Sequence, residues 1–414
     1  MFMKNSDRFT TRPIKVFLGV TILCIGILVT GCMRNTLNPL GGAYNSKTMN
    51  FISNTGGDLL VVLDSTLAPS VISAFNGWKT DVERAGWVVT VASWTKANKD
   101  VSNHVKLAEQ IIWPYIRSKG VAPHVFLIGK LPMPYTGLDI PTSHEDRGAY
   151  ASTLFYAAPD GQWTDIGDNS FRTHRTAALK NVPGDGKFDQ MIGPGSSSPD
   201  SRHVRGALKA CVGWLDFDHI GTPAQWGATN SKPAWIAQCY VDYFARNRAY
   251  RAGQWRPKTL IGHGNYLAKY WENVRQWALS ITAVSNYGEF QNIAAAEARA
   301  PFGFDFDHKA ISDKTSTWAA RPKTPWSVFE LFYGSYQFDY GSTRLMKPLN
   351  AGALATGCSV STSVGFGPTS PSWDLTGILA GKTLGELWYQ TLNRPVYYNT
   401  IFVLYGDPTL VIAQ

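Results

Sequence analysis

A thiol and an imidazole are the materials of nucleophilic acyl transfer, in which a thiolate attacks a carbonyl and the imidazole moves the proton. This chain of 414 residues holds five cysteines and eight histidines. Cys358 follows the small-residue run Ala351 to Thr356 (AGALAT) and precedes a Ser/Thr/Gly stretch whose backbone N–H groups suit an oxyanion. His263 stands in the one Gly-His-Gly, 95 residues earlier. Each has a plainer reading. A free cysteine is commonly a small buried hydrophobe, and a histidine between glycines can be a turn residue bonded to backbone. Asp160, Asp165 and Asp168, with Gly161 and Gly167, form an oxygen-rich stretch suited to calcium. Their spacing is not that of an EF-hand loop, and turn formation explains the same residues. Asp185 to Asp189 (DGKFD) reads the same way. The aromatic-acidic runs Phe302 to Asp307 and Tyr336 to Tyr340 suit a carbohydrate or peptide groove, or ordinary loop packing. No CxxC or HExxH occurs, which argues against zinc.

Cys32 points to a different chemistry. Lys4, Arg8, Arg12 and Lys15 precede an apolar run from about Val16 that closes on Leu28-Val29-Thr30-Gly31-Cys32. A basic start, a short apolar core and a small residue at the cut predict a secretory signal over residues 1–31, too short for a spanning helix. Because the cysteine directly follows Thr-Gly, the segment resembles a bacterial lipoprotein signal, which implies cleavage before Cys32 and lipidation of its thiol. An ordinary signal peptide with a chance cysteine is the alternative. Met33, rather than Asp, favours sorting to the outer membrane. The expected location is the bacterial cell envelope, with the membrane as a partner through the lipid anchor.

Composition bounds the chain beyond position 31. The 383 remaining residues suffice for one large domain or two ordinary ones. With 44% hydrophobic and 13% aromatic residues, the chain has the composition of a packed globular body, not a disordered one. Its net charge is +9, of which residues 1–31 supply +3, and its Lys and Arg are scattered, so nucleic acid is not expected as a partner. Removing Cys24 with the signal and lipidating Cys32 leaves Cys211, Cys239 and Cys358. An odd number leaves at least one thiol free, and spacing alone does not decide whether Cys211 and Cys239 pair.

The elements that must position these residues alternate. Residues 32–56, rich in Asn, Gly, Ser and Thr, read as a flexible tether. Asp58 to Asp64 (DLLVVLD) is a short apolar run, as expected of a buried parallel strand. Pro69 opens a helix in which Val71, Phe75, Trp78 and Val82 recur at helical spacing, and Gly86 stops it. Trp87 to Val91 reads as a strand, Val101 to Lys119 as a helix that Pro114 should kink, and His124 to Gly129 as a third strand. This order predicts right-handed crossovers and a parallel sheet. Leu131 to Pro199 reads as long loops with short strands. Ala234 to Ala249 predicts an aromatic-faced helix; Lys258 to Ile261, Val328 to Tyr333 and Ala351 to Thr356 predict further parallel strands. A last apolar run, Ile401 to Tyr405, stops at Gly406-Asp407-Pro408, where Asp407 is expected to cap a turn.

Four segments in order resemble the gingipain-like cysteine peptidases, from about residue 57 to the end. They are the DLLVVLD strand with the Trp78-Lys79 helix, WVVTV and HVFLIGK-LPMP; Tyr156 to Trp163 (YAAPDGQW); Val212 to Phe217 (VGWLDF); and the terminal LYGDPTL. The resemblance implies an α/β fold: a two-part caspase-like body with parallel sheets flanked by helices, its first half at 57–215 and its second at 216–414. It further implies a nucleophilic cysteine after one strand of the second half, which fits Cys358, and a His-Gly pair after the strand before it. That position here reads Gly334-Ser335-Tyr336, so Ser335 occupies the histidine's place. A serine does not shuttle protons near neutral pH as imidazole does. Of the remaining histidines, His104 and His124 are expected to lie remote from the second half, whereas His308 has the more family-like spacing but lacks flanking glycines.

Two functions are consistent with these residues. In one, the chain is a dyad-less relative that keeps the fold as a binding or scaffold module for a peptide or protein ligand. In the other, it is an envelope cysteine endopeptidase using Cys358 as nucleophile and His263 as base. No cofactor is expected beyond the calcium that Asp160, Asp165 and Asp168 suit, and the sequence does not set the oligomeric state.

Overall fold

In the computed structural model the described residues are 56–95, 102–120, 122–138, 148–169, 180–190, 204, 208–218, 220–254, 259–263, 327–332, 346–359, 377, 380–393 and 402–412. All belong to a compact unit spanning residues 46–414. The signal, Cys32 and nearly all of the tether lie outside the described residues, as do Ser335, His308 and the runs at 302–307 and 336–340. No helix among the described residues is long and apolar enough to cross a membrane.

The first strand, β1 (Asp58–Asp64), is buried at six of its seven positions, as its unbroken apolar run requires. Helix α1 (Pro69–Arg84) follows with Pro at its start and buries Val71, Phe75, Trp78 and Val82. Gly86, at φ 96°, turns the chain into β2 (Val88–Trp94). The next helical stretch, α2, starts at Asn103 and ends at Arg117, with a π-helical turn over Ala108–Ile112 directly before Trp113–Arg117. Pro114 explains it: proline has no N–H and crowds the preceding turn, and a wider turn accommodates both. Strand β3 (His124–Ile128) is wholly buried. A two-strand ribbon pairs β4 (Tyr135–Thr136) with β5 (Tyr150–Ala151), and the single helical turn α3 (Leu154–Ala157) follows it. Beyond it come β6 (Cys211–Leu215) and the long helix α4 (Lys232–Arg251), which buries Trp235, Tyr240, Tyr243, Phe244 and Tyr250. The remaining strands are β7 (Thr259–His263), β8 (Ser327–Phe332), β9 (Ala355–Ser359) and β10 (Phe402–Gly406).

These strands form one eight-stranded sheet in the order β2-β1-β3-β6-β10-β9-β8-β7. It is an α/β protein with a mostly parallel sheet flanked by helices. One joint is antiparallel: β10 pairs with β9 from Phe402↔Ser359 to Gly406↔Ala355. The five strands on one side of that joint therefore run opposite to β9, β8 and β7, which are parallel among themselves. Glycine permits the joint. Gly406 has φ 109°, and a Cβ there would lie 2.5 Å from the Leu354 carbonyl oxygen.

Strand boundaries shift from expectation at β2, which runs on to Trp94, at β7, which takes in His263, and most of all before Cys358. The run AGALAT is not a strand throughout, because α5 (Met346–Ala351) is helical and the strand starts at Ala355. Gly352, at φ 128°, ends the helix. Small residues carry little β preference, and the chain spends its first residues of this run completing a buried helix. Cys358 is consequently the fourth residue of β9 instead of the second residue beyond it.

Candidate functional site

The edge where β7, β8 and β9 end brings together the two residues proposed for nucleophilic chemistry. His263 is the last residue of β7 and pairs with Leu331 of β8, which pairs with Gly357 of β9. Cys358 pairs with the next β8 residue, Phe332, and on its other side with Val403 of β10. His263 and Cys358 thus share an edge, one register row apart, with the whole of β8 between them. Adjacent strands lie about 5 Å apart, so their backbones are separated by two spacings, about 10 Å. The strands beside Cys358 are β8 and β10, and in sequence β8 is followed by Gly334-Ser335-Tyr336. Their side chains lie outside the described residues.

The other predicted residues have structural partners. Asp160 is half exposed and faces Arg117 Nε at 3.2 Å and Lys209 Nζ at 3.7 Å. Asp165 accepts the Gly184 and Gly186 N–H groups at 2.9 and 2.8 Å. Asp189 accepts from the Thr164 hydroxyl and from the Ile166 and Gly167 N–H groups. Asp168 is exposed. Among the described residues, no group of three or more His, Cys, Asp or Glu side chains is arranged to hold a metal ion. Cys211 and Cys239 are not joined in a disulfide, and both are buried, one in β6 and one in α4. Burial pushes the Cys211 thiol well up, which makes it a poor nucleophile.

A dense polar cluster among the described residues lies where spacing offers little warning. Asp407 is fully buried directly after β10. Its Oδ1 accepts from the Thr409 N–H at 2.8 Å and the Thr409 hydroxyl at 2.6 Å, which is the expected turn cap. Its Oδ2 accepts from Trp78 Nε1 at 2.8 Å, Asn247 Nδ2 at 3.0 Å and Arg251 Nη2 at 2.7 Å. Burial alone would push this carboxyl up. The Arg251 guanidinium and the Thr409 donors outweigh it and hold the group below the ordinary carboxylate range. The carboxylate thus ties the terminal motif to α1 and α4. The chain then passes Gly213 of β6, where a Cβ would lie 2.6 Å from the Gly406 carbonyl oxygen and 2.9 Å from Pro408 Cδ. The Pro408 and Leu410 carbonyls accept the Gly385 and Leu384 N–H groups, satisfying the start of helix α6 (Leu384–Leu392).

A histidine completes that junction. His124 opens β3 in register with Cys211, and its Nε2 lies 2.8 Å from the Thr383 hydroxyl. Thr383 caps α6 by accepting the Glu386 N–H, leaving its hydroxyl hydrogen for the imidazole. Burial lowers the His124 pKa to about 3, against a small opposing pull from Asp407, so the ring is neutral. The sequence carries no signal for this pairing, since Thr383 lies 259 positions away.

The fold and site define an α/β protein with one antiparallel joint and a thiol at a strand edge. No family model matches the chain. No curated protein is significantly similar to it. It is similar to a solved structure described as "Structure of Protease" at 12% identity and a TM-score of 0.40, covering 86% of this chain and 79% of that one.

Proposed function

We propose that the protein is a dyad-less relative of the gingipain-like cysteine peptidases, keeping a caspase-like body as a binding or scaffold module for a peptide or protein ligand. In this reading a lipid on Cys32 anchors it to the bacterial cell envelope. The observation that carries the reading is the register of β7, β8 and β9. An imidazole positioned for Cys358 belongs on the neighbouring strand β8, where the sequence supplies Ser335, while His263 stands one strand further away. Dyad chemistry needs the base within reach of the thiol, both to deprotonate it for attack and to protonate the leaving amine. The fold by itself carries no activity.

The test pairs the wild type with Cys358→Ala. Both are offered a mixed peptide library and an electrophilic peptide that labels nucleophilic thiols. The expected result is no cleavage by either and no selective labelling of Cys358. Cleavage that disappears in both Cys358→Ala and His263→Ala would overturn the reading in favour of an endopeptidase. The anchor is tested separately: Cys32→Ser should move the protein out of the membrane fraction.

A further inference from the structure

Among the described residues β2 is an edge of the sheet, and it lacks the devices that normally keep such an edge from pairing. Those devices are charges, prolines, bulges and shortness. Strand β2 reads Val-Val-Thr-Val-Ala-Ser-Trp, seven residues without a charge or a proline, and it pairs with β1 at all seven positions without a bulge. Val88 is 62% and Val91 41% exposed, two of the three large hydrophobics that stand out in solvent among the described residues. Among the described residues no strand pairs with the outer side of β2, and Val88 and Val91 are left in water while Val89, Ala92 and Trp94 pack on the core.

Its backbone geometry is specific. The Val88 N–H donates to the Gly57 carbonyl, and the Trp94 carbonyl accepts from Ser65 N–H. Residues 88, 90, 92 and 94 therefore direct their backbone groups to β1. By alternation, Val89, Val91 and Ser93 direct theirs outward. These three positions are symmetric about Val91, the midpoint of the strand. From this geometry we infer that β2 is a homodimerisation edge, pairing antiparallel with β2 of a second copy about a two-fold axis at Val91. In that register Val91 faces its own counterpart in a hydrogen-bonded pair, and Val89 faces the second copy's Ser93 on both sides of the axis. All outward donors and acceptors of the three residues are then used. Thr90 faces Ala92, and Val88 faces Trp94, so exposed aliphatic surface is covered. No like charges are opposed, because the strand has none. A C2 contact must be self-complementary, and this strand meets that condition about a single residue.

The inference stands apart from the proposed function and is tested on the full chain. Val91→Cys places two thiols opposite each other at about 5.5 Å between Cα atoms, within disulfide range. Mild oxidation should yield a covalent dimer linked 91 to 91, identified by mass spectrometry of the peptides. Ser93→Cys, equally outward but facing Val89, should not link to itself. In sedimentation, the wild type should be dimeric, Val91→Thr should remain so, and Val91→Lys should dimerise about tenfold more weakly or not at all, because like charges then meet on the axis. Equal cross-linking of the 91 and 93 variants would overturn the proposal. So would a monomeric wild type at about 100 µM, well above the Kd of a specific dimer, or a Val91→Lys chain as dimeric as the wild type. A foreign protein or another segment of this chain holding the edge would appear as the second of these outcomes.

Discussion

Asp407 and His124 are both buried titratable groups around the same terminal segment, yet they are held in opposite ways. Asp407 follows the last strand and is met by donors from Trp78, Asn247, Arg251 and Thr409, so it stays ionised. His124 opens β3 and meets one hydroxyl, so burial wins and it stays neutral. Burial disfavours the charged form of both groups, and the number and sign of the neighbours decide whether it wins. The contrast extends to Cys358 and His263. A functional pair needs each group to be the other's neighbour, and a strand lies between their backbones.

The largest effect should come from breaking the charged member. Asp407→Ala leaves the Arg251 guanidinium, the Trp78 indole and the Asn247 amide without their shared acceptor. Removing one partner from a buried ionic network costs about 3–5 kcal/mol, enough to leave a domain of ordinary stability marginal. Chemical denaturation should show it as a lowered midpoint with an unchanged slope. Trp78→Phe removes only one donor and should cost roughly 1–2 kcal/mol. If Asp407→Ala unfolds no more easily than Trp78→Phe, Asp407 is not the anchor shared by α1, α4 and the terminal motif.

Much of this framework was legible in the sequence, and the reason is physical. Buried parallel strands must be apolar on both faces, so DLLVVLD and HVFLI announce themselves. Segments that resembled a peptidase family turn out to be joints. Trp78 and Asp407 bond each other, Gly213 makes room for Pro408, and Tyr156 donates to the Pro132 carbonyl of LPMP at 2.5 Å. Such motifs report the fold because each answers a packing or hydrogen-bond requirement. The antiparallel joint was not legible, since strand direction leaves no mark on a five-residue apolar run such as IFVLY. The start of β9 was hidden by residues too small to prefer a strand. The contacts of His124 and Asp407 span hundreds of positions, and no local pattern encodes them.

The neutral member should dominate the response to mild acid. Unfolded, His124 titrates near its ordinary value of 6.5; folded, its pKa is about 3. Between those values the unfolded chain binds a proton that the folded one refuses, so stability falls as pH falls. From pH 7 to pH 5 this one group should lower stability by about 2 kcal/mol. Asp407, lowered below the carboxylate range, contributes stability above about pH 4 and loses it only below, outside this window. The difference in unfolding free energy between wild type and His124→Gln, followed from pH 7 to pH 5, should shrink by that amount. A constant difference would mean that His124 is solvated, and the contrast with Asp407 would collapse.

The smallest effect is expected at Asp160, which sharpens the contrast from the exposed side. Its carboxylate is half exposed and shared between Arg117 and Lys209, themselves half exposed. Water screens such pairs, and holding long side chains in place costs entropy, so exposed ion pairs contribute between about 0 and 1 kcal/mol. Asp160→Ala should therefore shift the denaturation midpoint within that range and lose part of the shift in high salt. The same variant addresses calcium. If Asp160, Asp165 and Asp168 bound the ion, wild type would gain stability with calcium concentration as a ligand of the folded state, and Asp160→Ala would not. The geometry predicts equal melting curves with and without calcium for both chains, because Asp160 already faces two cations and Asp165 is committed to the Gly184 and Gly186 N–H groups. A calcium-dependent rise in the wild type alone would show that the ion displaces those partners, making Asp160 a ligand and not a surface ion pair.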